Sequence, residues 1–346
     1  MNHTAVTTHT TEVVLPGKVE PSGLQVHTRE LPAPAAGQAV LRMEATGVSF
    51  AEQQMRRGKY YDQPAFPFVP GYDVVGTVEA VGAGVDQGLE GKRVAALTKV
   101  GAWSTHMLLS ADAVVAVPDG VEPAEAETVV VNGITAWQML HRVAKVRAGQ
   151  TVLVLGANGG VGSTLVQLAR AAGIRVIGTA SKRHHDAVRA LGAEPLDYRA
   201  PDLPVQVRAL APKGVDAVFD HVGGAGIVDS LRLLAPGGAL VSYGTATTRD
   251  QEGSSKLPVL KLLARLMLWN ILPNGRSATF FNIWTGVRNA KAFQGRLRQD
   301  LTEVFKLLAD GTLHAQVAAR IPLADAPEAL RLAESGTVAG KVILVP

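Results

Sequence analysis

The rhythm of hydrophobic positions changes near residue 150 of this 346-residue chain. Before it, short apolar runs broken by Gly and Pro predict strands over 39–44, 76–81, 93–97, 104–109 and 114–117, the last stopped by the turn Pro118-Asp119-Gly120. Residues 12–127 therefore read as β-rich. Residues 123–146 read as mainly helical, with a break near Asn132-Gly133. From Gln150 onward, strands over 151–155, 175–178, 195–197, 217–220, 239–243 and 279–283 alternate with helical stretches, the pattern of a parallel, doubly wound sheet. A helix over 299–310 and a strand over 341–345 close the chain. Residues 256–272 are apolar on more than one face. A helix buried over a cleft or at a subunit contact is expected there, with a membrane-surface helix carrying Lys256, Lys261 and Arg265, or a lid, as alternatives.

The run Val152-Leu153-Val154-Leu155 passes straight into Gly156-Ala157-Asn158-Gly159-Gly160-Val161-Gly162 and then into a helix over 163–172. Strand, glycine turn, helix, strand is the context a dinucleotide-binding fingerprint requires. Gly159 lets the backbone approach a pyrophosphate, Gly162 lets the helix pack on the strand, and the helix-start N–H groups receive the phosphates. Cofactors with a free ribose 2′-hydroxyl usually meet an acid about 20 residues on. Here Ser181, Lys182 and Arg183 stand instead, with Tyr198 closing the next strand. Cations at a helix start oppose the dipole, so a bound 2′-phosphate explains them and NADPH is favoured over NADH.

Composition narrows the chemistry. A net charge of +4 without a long basic run does not imply nucleic acid. The absence of cysteine removes disulfides, thiol nucleophiles and cysteine-based metal sites. The polar Asn2-His3-Thr4 start and the lack of a long apolar run lead to the expectation of a cytoplasmic protein with little membrane contact.

Together the glycine turn, Gly71-Tyr72-Asp73-Val74-Val75-Gly76, Asp220-His221-Val222-Gly223-Gly224, Gly47-Val48-Ser49-Phe50-Ala51-Glu52 and the run from Pro236 to Gly244 resemble the medium-chain dehydrogenase/reductase superfamily. Within it the chain looks like the zinc-free quinone oxidoreductase branch that includes vesicle amine transport protein-like members. The resemblance implies an α/β fold: a GroES-like β-barrel catalytic domain over 1–128, a Rossmann NADP-binding domain over 129–285, and a return to the catalytic domain over 286–346. It implies no metal, since Tyr72-Asp73 stands where zinc members carry His-Glu. It places Ser49, Glu52, Tyr60 and Tyr61 in the catalytic cleft. Asn132, Thr135, Ala157, Asn158, Gly159, Gly160, Val161, Gly162, Ser181, Lys182, Arg183, Tyr198, Val222, Gly223 and Gly244 are its cofactor-binding candidates.

The activity implied is NADPH-dependent reduction of a small apolar quinone or α,β-unsaturated carbonyl by metal-free hydride transfer. An enoyl thioester reductase, with Arg56, Arg57 and Lys59 in a cationic groove, and a non-catalytic NADPH-binding protein are the alternatives. An unprotected apolar edge strand over 278–284 adds the expectation of a homodimer.

Overall fold

The computed structural model describes residues 8–244, 246 and 256–346, so Asn2-His3-Thr4 lies outside the described residues. It divides into two compact units, 1–131 with 288–311 and 315–346, and 132–287 with 312–314.

The first unit holds β1 (Thr8–Val14), β2 (Gln25–Leu31), β3 (Gln38–Val48), β4 (Asp73–Val81), β5 (Arg93–Leu97), β6 (His106–Ser110), β7 (Val115–Ala116), β14 (Val317–Pro322) and β15 (Lys341–Val345). Its helices are α1 (Phe50–Arg56), α2 (Pro123–Thr128), α9 (Ala290–Ala309) and α10 (Ala326–Glu334). Seven strands run β14-β15-β3-β4-β5-β7 with β6 also on β3, while β1 and β2 form a separate antiparallel pair. The C-terminal strand β15 pairs with β3, Val342 opposite Val48, so the end of the chain completes the sheet begun near its start. Met43, Val74, Leu330 and Leu344 share one buried core with Trp103. The indole is fully buried, and its N–H donates to the Gly47 carbonyl at 3.0 Å, which satisfies the ring's one polar group.

The second unit carries six parallel strands, β8 (Thr151–Leu155), β9 (Arg175–Ala180), β10 (Glu194–Asp197), β11 (Val215–Asp220), β12 (Leu234–Ser242) and β13 (Ser277–Phe280), in the order β10-β9-β8-β11-β12-β13. The chain winds outward from β8 to β10, then returns to β11 beside β8, so the topological switch point lies between β8 and β11. Helices α4 (Gly160–Ala171), α5 (His185–Leu191), α6 (Leu203–Leu210), α7 (Ile227–Leu233) and α8 (Lys256–Ile271) accompany the strands.

Two expectations from the sequence need correction. The helical stretch after Pro123 breaks at Val129, not at Asn132-Gly133: α3 (Val130–Trp137) runs through both residues and continues as a π-helical turn over Gln138–Val143. The break falls there because the Asp73 carboxylate accepts the Val131 N–H at 2.9 Å, supplying a partner to a new helix start. The last strand of the second sheet ends at Phe280, since the Asn282 side chain accepts the Trp284 N–H at 2.9 Å and turns the chain away. The α8 helix buries one side within this chain. Leu262 and Leu266 enter the core, and Asn270 exchanges hydrogen bonds of 2.6 and 2.8 Å with the backbone of Ala278 in β13. Leu260, Leu263, Met267, Leu268 and Ile271 remain exposed. Among the described residues no helix is long and apolar enough to cross a membrane.

Candidate active site

In the second unit, the glycine turn and the end of β11 lie at the same end of two neighbouring parallel strands, β8 and β11. Gly156, at φ +70°, begins the turn, and its N–H donates to the Thr179 hydroxyl at 3.1 Å. Buried Ala157 donates its N–H to the Thr179 carbonyl at 2.9 Å, tying the turn to β9. A Cβ on Gly162 would stand 2.1 Å from the Gly156 carbonyl oxygen, so the turn closes only with glycine there. A Cβ on Gly160 would meet the Asn132 amide at 2.5 Å, which places that side chain against the start of α4. Asn132 and Thr135 are both buried on α3. The N–H groups at the start of α4, from Gly160, Val161 and Gly162, form the anion-receptive end of a 12-residue helix.

On the β9 side, Ser181, Lys182 and Arg183 follow the last residue of the strand, and the Tyr198 N–H donates to the Ala180 carbonyl at 3.2 Å. Tyr198 is thereby brought to the basic turn. Arg199, which sequence reasoning missed, lies 5.1 Å from the centre of the Tyr198 ring. Lys182 and Arg199 also line an open cavity of about 390 Å³ with His185 and Asp197. The signal for Arg199 was its place two residues past the end of β10, at the carboxyl edge where ligands of such sheets bind.

On the β11 side, the Asp220 carboxylate organises the turn. One oxygen accepts the N–H groups of Val222 and Gly223 at 2.8 and 2.9 Å, and the other accepts the Ser230 hydroxyl at 2.8 Å. Gly223 can hold φ +67° because it lacks a Cβ. Gly244 packs on the His221 backbone, where a Cβ would come within 2.8 Å of the carbonyl oxygen.

In the first unit, Ser49 and Glu52 form a capping box at the start of α1. The Ser49 hydroxyl accepts the Ala51 N–H at 3.1 Å and donates to Glu52, and Glu52 accepts the Ser49 N–H at 2.9 Å. The second Glu52 oxygen accepts the N–H of Tyr72 at 2.7 Å. Burial pushes the Glu52 carboxyl above its ordinary range. The Ser-x-x-Glu spacing carried this structural task in plain view.

What this anchor positions is a cluster of phenols. The Tyr60 and Tyr72 hydroxyls lie 2.7 Å apart, and the Tyr60 and Tyr61 rings pack with centroids 4.6 Å apart. Tyr72 is buried and Tyr61 is exposed at its edge. Burial and the neighbouring Tyr60 raise the Tyr61 hydroxyl above its usual value, so it remains a proton-bearing donor at neutral pH. Tyr72 is the functional candidate that the sequence reading left in the motif without a role.

Arg56 forms a two-pronged ion pair with Glu334 at 3.0 and 2.8 Å, and Arg57 reaches the same carboxylate at 3.0 Å. Both guanidinium groups are therefore engaged within the fold rather than presented as an anion groove. Asp73, beside Tyr72, is fully buried and accepts two contacts from the Lys341 ammonium at 2.9 and 2.7 Å. The same ammonium donates to Glu127 at 2.8 Å. These residues do not fit a zinc ion. The chain has no cysteine, Tyr72 and Asp73 are engaged with Tyr60 and Lys341, and no metal-holding group of three His, Asp or Glu occurs among the described residues.

The alcohol dehydrogenase GroES-like domain family matches residues 35–119, and a family described as zinc-binding dehydrogenase matches residues 191–344. The human synaptic vesicle membrane protein VAT-1 homolog is 32% identical over 333 residues, 93% of this chain and 82% of its own length. A Mycobacterium tuberculosis mycocerosic acid synthase-like polyketide synthase is 30% identical over 96% of this chain, which corresponds to 15% of the synthase. The solved Escherichia coli quinone oxidoreductase complexed with NADPH is 25% identical, with a TM-score of 0.84 over 97% of this chain and 100% of that one. With a zinc-free tyrosine cluster in a GroES-like unit and a dinucleotide turn in a Rossmann sheet, this chain belongs to the quinone oxidoreductase-like branch of the medium-chain dehydrogenase/reductase family.

Proposed function

We propose that the protein binds NADPH and reduces small, apolar, conjugated carbonyl compounds, quinones or α,β-unsaturated ketones and aldehydes, without a metal. The observation that carries this reading is that the chain holds both an NADP-type turn, within its second unit, and, within its first unit, a phenol cluster instead of metal ligands. The start of α4 receives the pyrophosphate. Ser181, Lys182, Arg183 and Tyr198 receive the 2′-phosphate, where an acid would repel it. Asn132, Thr135, Val222, Gly223 and Gly244 line the remainder of the cofactor path.

When bound, NADPH supplies the hydride. The protein's part is to hold the acceptor and stabilise the oxygen that gains negative charge. Tyr60 and Tyr61 are the donors for that oxygen, and Tyr72 orients Tyr60 through the 2.7 Å contact. Two electrons arrive as hydride and one proton comes from a phenol or solvent. That hydride and single proton turn a quinone into the hydroquinone, while an enone takes the hydride at the β-carbon and the proton at the α-carbon.

The test is NADPH oxidation against a panel of quinones, enones, alkenals and enoyl thioesters, with NADH and a metal chelator in parallel. Quinone or enone turnover that prefers NADPH and ignores the chelator is expected. Tyr60→Phe should then lower kcat/KM about 100-fold, the usual effect of losing one oxyanion donor, with NADPH binding unchanged. Turnover confined to enoyl thioesters moves the assignment to the thioester reductase that the polyketide synthase likeness favours. Tight NADPH binding with no turnover leaves a binding protein.

A homodimer belongs to the same reading. Among the described residues β13 pairs with no strand other than β12, the Asn270 side chain of α8 bonding the Ala278 backbone, and several apolar residues of α8 are exposed. Light scattering should give twice the chain mass of 36.3 kDa, and a single-chain mass removes the dimer.

A further inference from the structure

His221 has no part in the reading above, yet its ring occupies the central position of the second unit's carboxyl edge. It follows the last residue of β11 and leans on the end of β8, the two strands that flank the switch point. Its Nδ1 lies 3.0 Å from the Leu155 carbonyl oxygen, the last of β8. Its ring fills the space where Gly156 would carry a side chain, Cε1 standing 2.4 Å and Nε2 3.1 Å from that position. The Tyr243 ring backs it with centroids 6.0 Å apart.

Burial lowers the His221 pKa, against the opposing pull of Asp220, so the imidazole is neutral at physiological pH. A neutral imidazole carries one N–H. Opposite a carbonyl oxygen, Nδ1 must be the donor, which leaves Nε2 as a lone-pair acceptor. Most polar side chains that nucleotide crevices gather are donors aimed at phosphate. A fixed neutral acceptor suits a different group, a hydroxyl or an amide N–H.

Topology selects which. The 2′-phosphate and adenosine belong to the β9–β10 side and the pyrophosphate to the start of α4. The remaining half of the dinucleotide has to cross from β8 to the β11 side, over His221. We propose that His221 is a cofactor-positioning residue whose Nε2 accepts a hydrogen bond from a ribose hydroxyl in the nicotinamide half of NADPH. The inference rests on the NADPH placement proposed above.

His221→Asn tests it. The asparagine amide reaches the Leu155 carbonyl from the Nδ1 position but has no acceptor at the Nε2 position. Binding is measured by titration calorimetry with NADPH and with 2′,5′-ADP, which carries only the adenosine half, alongside the melting temperature of the unliganded protein. The expected result is an NADPH Kd raised roughly five- to tenfold, as for one hydrogen bond of about 1 kcal/mol. The 2′,5′-ADP affinity and the melting temperature should stay unchanged. An unchanged NADPH Kd, or equal weakening of both ligands, overturns the role.

If His221→Asn is unstable, the wild-type imidazole is followed instead by long-range proton–nitrogen NMR. The Nε2 resonance should shift with NADPH and hold still with 2′,5′-ADP, and no difference between the two ligands overturns the inference. Wild-type protein that fails to bind NADPH sinks the cofactor reading itself. Normal NADPH binding with an indifferent His221→Asn sinks only the histidine's role.

Discussion

Replacing Lys341 with Met is expected to destabilise the first unit by about 3–5 kcal/mol, the usual cost of stripping one partner from a buried ion cluster. Lys341 is 3% exposed, and Asp73 and Glu127 are fully buried around its ammonium. One cation facing two carboxyls is balanced because burial, with Asp73 adjacent, lifts Glu127 well above the usual carboxylate range. Without the ammonium, both carboxyls are left in a site with no cation. The cluster joins β15 to β4 and α2, so its loss loosens the return of the C-terminal strand. Urea unfolding checks the loss. The triple variant Lys341→Met with Asp73→Asn and Glu127→Gln should regain a substantial part of it, since neutral groups have no charge to strand. A loss below about 1 kcal/mol for the single variant would show that the cluster is not a tie.

The pH dependence follows from the same groups. Burial pulls the Lys341 pKa down, but the two carboxyls outweigh it and raise the pKa above its ordinary 10.5. Its stabilisation is complete below pH 10.5 and is lost only as pH climbs through the higher folded value. Glu127 acts in the same direction, in a lower pH window. Above pH 4.5 the unfolded chain releases a proton that folded Glu127 retains, so stability falls as pH rises through that window. Glu127→Gln should flatten this part of the profile, seen in melting temperatures between pH 4 and 8. An unchanged slope would contradict the raised carboxyl.

Gly162→Ala should abolish useful NADPH binding, by on the order of 100-fold or about 2.7 kcal/mol, and should also lower the melting temperature. The added methyl would stand 2.1 Å from the Gly156 oxygen and 3.0 Å from its carbon, backbone atoms that move only if the turn between β8 and α4 opens. Gly159→Ala separates the two effects. Gly159 has φ −79°, which alanine adopts freely, and its nearest neighbour would be 3.4 Å away. That variant should melt as wild type does and still bind NADPH more weakly, because the methyl occupies the path of the pyrophosphate. Fluorescence titration of NADPH with parallel melting curves distinguishes them. Equal melting temperatures for both variants would remove the steric account of Gly162.

Much of the second unit was legible in sequence because its signals are local. β8 ends where its apolar run meets Gly156, and a parallel strand buried on both faces announces itself as an unbroken hydrophobic run. Other elements left no such trace. β2 exposes six of its seven residues, so it shows neither alternation nor a hydrophobic run. Its ladder is supported by partners remote in sequence, such as Arg29 with Glu12. The Ser49–Glu52 spacing was readable as a helix cap, but the N–H of Tyr72 that Glu52 also accepts comes from 20 residues downstream.

From its residues alone the chain determined the dinucleotide turn, the basic replacement at the end of β9 and the impossibility of a cysteine-held metal. Each depends on backbone geometry or chemistry contained within a few consecutive residues. Only the tertiary structure decided that Tyr72 completes the phenol cluster, that Arg56 and Arg57 belong to Glu334, that Lys341 binds Asp73 and Glu127, and that His221 stands at the switch point. These are contacts between segments up to 278 residues apart. Their strength comes from burial and from the removal of competing water, conditions that exist only once the sheets have formed.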